Sequence, residues 1–230
     1  MIKAILMDFN GVIIDDEPVQ MRAYQHVLKE YGIDLTEDDY LASLGMDDVS
    51  FVENAFKRAG KDAPNGKTRE IVDAKFVAWK ASVDKQMPLF EGIENFVEKC
   101  SRDFEMGIVS MATRREIDHV LETSGLRKFF SVIISSEDVE NCKPDPECFR
   151  EGFKRIDSVR TAKGHLPMVH SDCLVIEDSP PGVVAAKGAH LLALGVSNTV
   201  TAIELRNAGA SAVAKDLRDW MPESIRRVFV

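Results

Sequence analysis

The chain has no run of 18 or more apolar residues, so it offers no helical membrane span. It is also short of positive charge: 29 Lys and Arg against 38 Asp and Glu leave a formal net charge of −9. Nucleic acids and anionic membranes need basic faces, so neither is an expected partner. Cysteine is sparse. The four, Cys100, Cys142, Cys148 and Cys173, make no C-x-x-C pair and lie far apart, as reduced cytoplasmic thiols do rather than a disulfide framework. Cys173 sits in an apolar run and reads as a small core residue. The first strand begins almost at Met1, leaving no room for a signal peptide, and the expected location is cytoplasmic. Internal repeats and low-complexity segments are lacking too.

What remains is an ordinary globular composition, 45% hydrophobic and 29% charged. A chain of 230 residues is long enough for one large domain, or a core with a smaller insert. At that size folding buries about 70% of the unfolded surface without staples. The opening stretch organises the rest. Ile2 to Met7 is a near-continuous apolar run ending in Asp8, followed by a turn at Gly11. Such runs are strands buried on both faces of a parallel sheet. Ligands sit just beyond the carboxyl ends of these strands. Asp8 is therefore either an ordinary solvated strand-end Asp or the first residue of a site.

From residue 15 the period changes. Val19, Ala23, Tyr24, Val27, Leu28 and Tyr31 recur at helical steps, and Gly32 stops the helix. The same period returns in Phe51-Val52-Ala55-Phe56 and in Ile71-Ala74-Lys75-Ala78-Trp79, with Gly60 to Gly66 as the loop between. Residues 15–87 read as a small helical bundle inserted between residues 1–14 and 88–230. Gly66-Lys67-Thr68 resembles the end of a P-loop, but its upstream glycine is out of register and no strand precedes it.

After Pro88, strands and helices alternate. A helix over Ile93–Cys100 precedes a strand at 105–110; Thr113 and Glu116 form a capping box for a helix that Gly125 ends. A strand follows at 130–135, and Asp145-Pro146 opens another helix. Residues 157–172 read as a long irregular connection. Strands at 173–176 and 191–196 flank a helix opened by Ser179-Pro180-Pro181-Gly182. This spacing predicts an α/β fold: a doubly wound, Rossmann-like parallel sheet with right-handed crossovers.

Three strands end in polar groups: Asp8, Ser110, and the pair Glu177 and Asp178. In a parallel sheet these ends share one edge, and Lys143 stands just ahead of a helix start. Clustered carboxylates call for a cation, and all-oxygen ligands suit Mg²⁺. Lysine, hydroxyl and loop amides suit a phosphoryl group. Together they form a kit for phosphoryl transfer.

In order along the chain, Asp8-x-Asn10-Gly11, Ser110, Lys143-Pro144-Asp145-Pro146 and Glu177-Asp178-Ser179 match the four motifs of the haloacid dehalogenase-like hydrolase superfamily. The chain most resembles its β-phosphoglucomutase-like branch of phosphatases, over essentially its whole length, and Leu44-Gly45-Met46-Asp47-Asp48 looks like that branch's cap. The resemblance implies that Asp8 is a nucleophile forming an aspartyl phosphate. It implies that Asp8, the carbonyl of Asn10 and Asp178 hold Mg²⁺, with Glu177 supporting. It gives Ser110 and the N–H of Met111 the phosphoryl oxygens, and Lys143 their charge. Thr113 and Asp145 read as helix caps and His119 as a surface or packing residue. Arg114 and Arg115 stand where they could reach the mouth.

One residue departs from the pattern. Active members of the branch carry Asp two residues after the nucleophile, as general acid and base; this chain has Asn10, which has no titratable proton. Asn10 is either natural, marking a slow or re-purposed enzyme, or an engineered near-isosteric change. Between residues 14 and 56, Arg22 and Lys29 face eleven Asp and Glu, and Gln20 stands where the branch's mutases carry histidine. Both points tilt the expectation from mutase to hydrolysis of a small phosphorylated metabolite by a monomer or weak dimer. Gln20, Arg22, Gly45 and Arg114 are candidate substrate contacts. A sugar-phosphate mutase and a non-catalytic phosphometabolite-binding protein remain alternatives. A dehalogenase does not fit Lys143, Glu177 and Asp178 together.

Overall fold

Six short segments pair into one sheet, five of them almost wholly buried on both faces and the sixth, at an edge, partly exposed. They are β1 (Ala4–Met7), β2 (Glu105–Val109), β3 (Val132–Ile134), β4 (Cys173–Glu177), β5 (Leu192–Val196) and β6 (Ala212–Ala214). In the computed structural model, which describes residues 1–63 and 66–229, all five pairings are parallel and the order is β3-β2-β1-β4-β5-β6. Strand order reverses between β1 and β4, which creates a crevice at their carboxyl ends. Alternate residues of β1 face opposite layers. Ile5 and Met7 join Phe96, Ile117 and Val120 on one face; Ala4 and Leu6 join Phe149, Ile156 and Val183 on the other.

Helices α1 (Glu17–Lys29), α2 (Glu37–Leu41), α3 (Asp48–Arg58) and α4 (Thr68–Val83) lie between β1 and β2 in sequence, ahead of α5 (Ile93–Ser101). Tyr24, Leu28, Phe51, Val52, Phe56 and Ile71 give α1, α3 and α4 an apolar cluster of their own. The segments entering and leaving this bundle run side by side: the Asp15 N–H donates to the Pro88 carbonyl at 2.7 Å and the Phe90 N–H to that of Ile13 at 3.2 Å. Pro64 and Asn65, in the expected loop over Gly60–Gly66, lie outside the described residues.

The remaining helices are α6 (Arg114–Thr123), α7 (Glu147–Ala162), α8 (Pro180–Gly188), α9 (Ala202–Ala208) and α10 (Pro222–Val228). The expected irregular stretch from 157 is a correction. Helix α7 runs on to Ala162, because Ile156 and Val159 continue its apolar face onto the sheet and no breaker intervenes before Gly164. Asp145 does act at its start: Oδ1 accepts the Glu147 N–H at 2.9 Å. No helix among the described residues is long and apolar enough to cross a membrane.

Candidate active site

The register places Met7 opposite Ile176, so Asp8 and Glu177 leave adjacent strands side by side, and the Asp8 N–H still donates to the Ile176 carbonyl at 2.9 Å. Carboxylate oxygens of Asp8, Glu177 and Asp178 all lie within 4.8 Å of one another, and all three residues are buried. Lys143 Nζ reaches them from the loop before α7. It is 3.0 Å from Asp8 Oδ1 and 2.7 Å from Glu177 Oε1. Burial alone would lower the lysine's pKa, but those two carboxylates raise it above its ordinary value, so it is firmly cationic.

Charge is unevenly balanced here. Burial pushes Asp178 well above the carboxylate range, and Glu177 and Asp8 push it further. Burial likewise raises Asp8, offset in part by Lys143. Glu177 goes the other way: Lys143 and Ser179 overcome its burial and hold it low. Asp8 Oδ1, for all its closeness to Lys143, is a buried oxygen with no aligned hydrogen bond. Three buried carboxylates against one lysine fit a hard divalent cation bound through oxygen. Two glycines permit this crowding. A Cβ at Gly11, whose φ is +72°, would overlap the Asp178 carboxylate, and one at Gly182 would overlap that of Glu177.

Ser110 follows β2 directly. It is buried, and its Oγ accepts the Ala112 N–H at 3.1 Å. With Asp8, Asn10, Met111, Lys143 and Asp178 it lines a cavity of about 90 Å³, more than a bound water requires. The opposite wall comes from the helical bundle and includes Gln20, Gly45 and Lys75.

The haloacid dehalogenase-like hydrolase model matches residues 5–196. The chain belongs to this family. Among similar proteins, "Phosphorylated carbohydrates phosphatase" of Thermotoga maritima is 27% identical over 230 residues, covering 99% of this chain and 98% of that protein. "Protein SUPPRESSOR OF QUENCHING 1, chloroplastic" of Arabidopsis thaliana is 30% identical over 223 residues, 94% of this chain, but the chain spans only 20% of its length. A β-phosphoglucomutase structure from Clostridium difficile superposes with a TM-score of 0.84 at 21% identity, covering 100% of this chain and 97% of that one. At that identity the likeness is one of fold.

This haloacid dehalogenase-like hydrolase places the remaining expected contacts unevenly. Gln20 and Gly45 do line the cavity, and a Cβ at Gly45 would crowd Pro181 and Lys143. Arg22 does not: two residues from the buried Gln20 and Tyr24, it falls on the exposed side of α1. The nearby acids Asp16 and Glu17 are bonded to other residues. Arg114 is also turned away, its Nη2 2.8 Å from Asp138 and 2.9 Å from the Ile133 carbonyl. Arg115 pairs with Asp73 at 2.6 Å over the Phe76 ring. His119 bonds Asp84 beside Trp79, and at the start of α6 Glu116 accepts both the Thr113 N–H, at 3.1 Å, and the Thr113 hydroxyl, at 2.8 Å.

Several wall residues were not among the expected ones. Lys75, fully buried on α4, pairs with Asp48 at 2.9 Å and with Glu116 at 2.8 Å. Its signal was visible as a lysine on the apolar stripe Ile71, Lys75, Trp79. The buried cation of this wall thus comes from beyond residues 14–56, and two carboxylates already balance it. Asp16 is buried too and accepts from Asn10 Nδ2 at 2.9 Å, Trp79 Nε1 at 2.7 Å and Gln20 Nε2 at 3.0 Å. The Thr199 hydroxyl donates to Asp178, and that of Tyr40 to Glu17.

Burial and the neighbouring Asp16 push Glu17 from 4.5 up to about 7, although Tyr40 works against them. The folded chain therefore favours protonated Glu17. The stability this contributes is complete below about pH 4.5 and lost as pH rises through about 7. Glu17→Gln, which keeps an acceptor for Tyr40, is expected to flatten the fall in melting temperature across that window. An unchanged pH profile would refute the assignment.

Proposed function

We propose that the chain is a Mg²⁺-dependent phosphatase of a small phosphorylated metabolite, working through an aspartyl phosphate on Asp8 and slowed by Asn10. The convergence of Asp8, Glu177 and Asp178 on one point, with Lys143 bridging two of them, carries this reading. Asp8, Asp178 and the backbone carbonyl of Asn10 would hold Mg²⁺, with Glu177 behind them. The bound ion would supply charge neutralisation of the transferring phosphoryl group.

The chain's own groups do the rest. An Asp8 carboxylate oxygen forms a bond to phosphorus as the bond from phosphorus to the ester oxygen breaks. Lys143, Ser110 and the Met111 N–H hold the phosphoryl oxygens while charge develops on them. The leaving oxygen then needs a proton, and the water that later opens the aspartyl phosphate must lose one. Asn10 supplies neither. The two helical-bundle crossings at 13–15 and 88–90 form the hinge of a cap, residues 15–87, that closes over the site and excludes water.

The bonding of Asn10 bears on its origin. Both oxygens of Asp16 accept from its amide, at 2.9 and 3.1 Å. Asp at position 10 would set a half-buried carboxylate against the buried one of Asp16, so Asn10 and Asp16 are a matched pair, which favours Asn10 as the natural residue.

A side-by-side substrate screen of the unmodified and Asn10→Asp proteins tests the function. In the Asn10→Asp background, Asp8→Ala is expected to abolish Mg²⁺-dependent phosphate release and the acid-stable phosphoryl label on the protein. Turnover that survives Asp8→Ala would sink the aspartyl-phosphate route.

A further inference from the structure

Facing Lys143 across the cavity, the helical wall has turned its side-chain donors back into the protein. The Tyr24 hydroxyl donates to Asp48 and that of Tyr40 to Glu17. Lys75 Nζ is taken by Asp48 and Glu116, and Gln20 Nε2 by Asp16. What remains towards the cavity is mainly acceptor: the carboxyl oxygens of Glu17 and Asp48, and Gln20 Oε1. Gln20 is only 6% exposed and lines the cavity, yet its Oε1 has no hydrogen-bond partner. A buried acceptor left unmatched is costly and calls for a donor. Charge points the same way: Lys75 carries one positive charge against Asp48 and Glu116, and Glu17 adds a further negative charge as pH rises through about 7.

We propose that this wall is a leaving-group subsite for a donor-bearing, non-anionic alcohol, an ammonium-bearing one best, which excludes a second phosphate or carboxylate. The inference rests on the phosphatase reading for where the phosphoryl group lies. An ammonium brings three donors and no acceptor, and a hydroxyl brings one of each. A second anion would bring acceptors to acceptors on a wall with more carboxyl groups than cations.

Three phosphomonoesters of matched length test it: 2-aminoethyl phosphate, 2-hydroxyethyl phosphate and phosphoglycolate, titrated by calorimetry into the unmodified protein with Mg²⁺. Affinity should fall in that order, with the ends at least about tenfold apart, the scale of one partly screened charge contact. Equal affinities, the reverse order, or no binding of any of the three overturns the proposal. Glu17→Gln should shrink the ratio of aminoethyl to carboxylate affinity; a ratio left intact removes the subsite from this wall. Hydrolysis by the Asn10→Asp protein reports separately on the phosphatase reading. Ordered binding without any hydrolysis would overturn that reading alone. Hydrolysis with phosphoglycolate bound best would overturn this inference alone.

Discussion

Asn10→Asp is expected to raise Mg²⁺-dependent hydrolysis of an alkyl phosphate by about 10²–10⁴-fold, the usual contribution of a positioned general acid–base. That corresponds to roughly 3–5 kcal/mol of barrier. The geometry gives a reason to expect the new carboxyl to be a good acid. It would stand where Asn10 Nδ2 now lies, 2.9 Å from an oxygen of buried Asp16. Two carboxylates so placed share a proton, which keeps one protonated near neutral pH. The gain should be smaller on an aryl phosphate, whose leaving oxygen depends less on protonation, although water attack on the aspartyl phosphate still needs a base. Phosphate release from both substrates, measured with and without Mg²⁺, checks this. If Asn10→Asp shows no Mg²⁺-dependent turnover over a broad phosphate panel, the phosphatase proposal fails.

The second large effect is on stability. Lys75→Met should destabilise the fold by about 3–5 kcal/mol, because it strands two buried carboxylates. Burial alone would lower the lysine's pKa, yet Asp48 and Glu116 raise it above its ordinary range, so Lys75 is cationic in the folded chain and in turn holds Glu116 low against its burial. Nζ lies 2.9 and 3.1 Å from the two oxygens of Asp48 and 2.8 Å from Glu116 Oε1. With about 2–4 °C lost per kcal/mol at this chain length, the melting temperature should fall by roughly 6–20 °C. Neutralising the stranded acids as well, in Lys75→Met with Asp48→Asn and Glu116→Gln, should recover much of the loss. A melting temperature within about 2 °C of the unmodified protein for Lys75→Met alone would show that the pair is not what holds this wall.

The sheet and its polar edge were legible because they follow from local rules. A strand buried on both faces must be a continuous apolar run, so Ile2–Met7, 105–110 and 173–176 declared themselves, and their polar ends had to share an edge once the strands were parallel. Helix α7 was cut short in prediction because polar residues on its outer face masked Ile156 and Val159, whose partners lie on the sheet. Strand β6, three residues long and partly exposed, carries too little pattern to stand out.

Side-chain direction was the harder matter. Arg22 and Arg114 sit in the right stretches for a substrate contact, but α1 turns one to solvent and Asp138 holds the other. Lys75 shows the converse: a charge on an apolar stripe says that it is buried, but not that Asp48 and Glu116 surround it. The sequence by itself determined the parallel α/β core, the convergence of Asp8, Ser110, Lys143, Glu177 and Asp178, and the missing proton at Asn10, since element order and residue chemistry settle these. Tertiary structure alone decided that Asn10 is bonded to Asp16 and that the facing wall presents acceptors. Hydrogen bonds between residues 6 to 96 positions apart depend on how helices pack, and packing leaves no local pattern for a sequence to show.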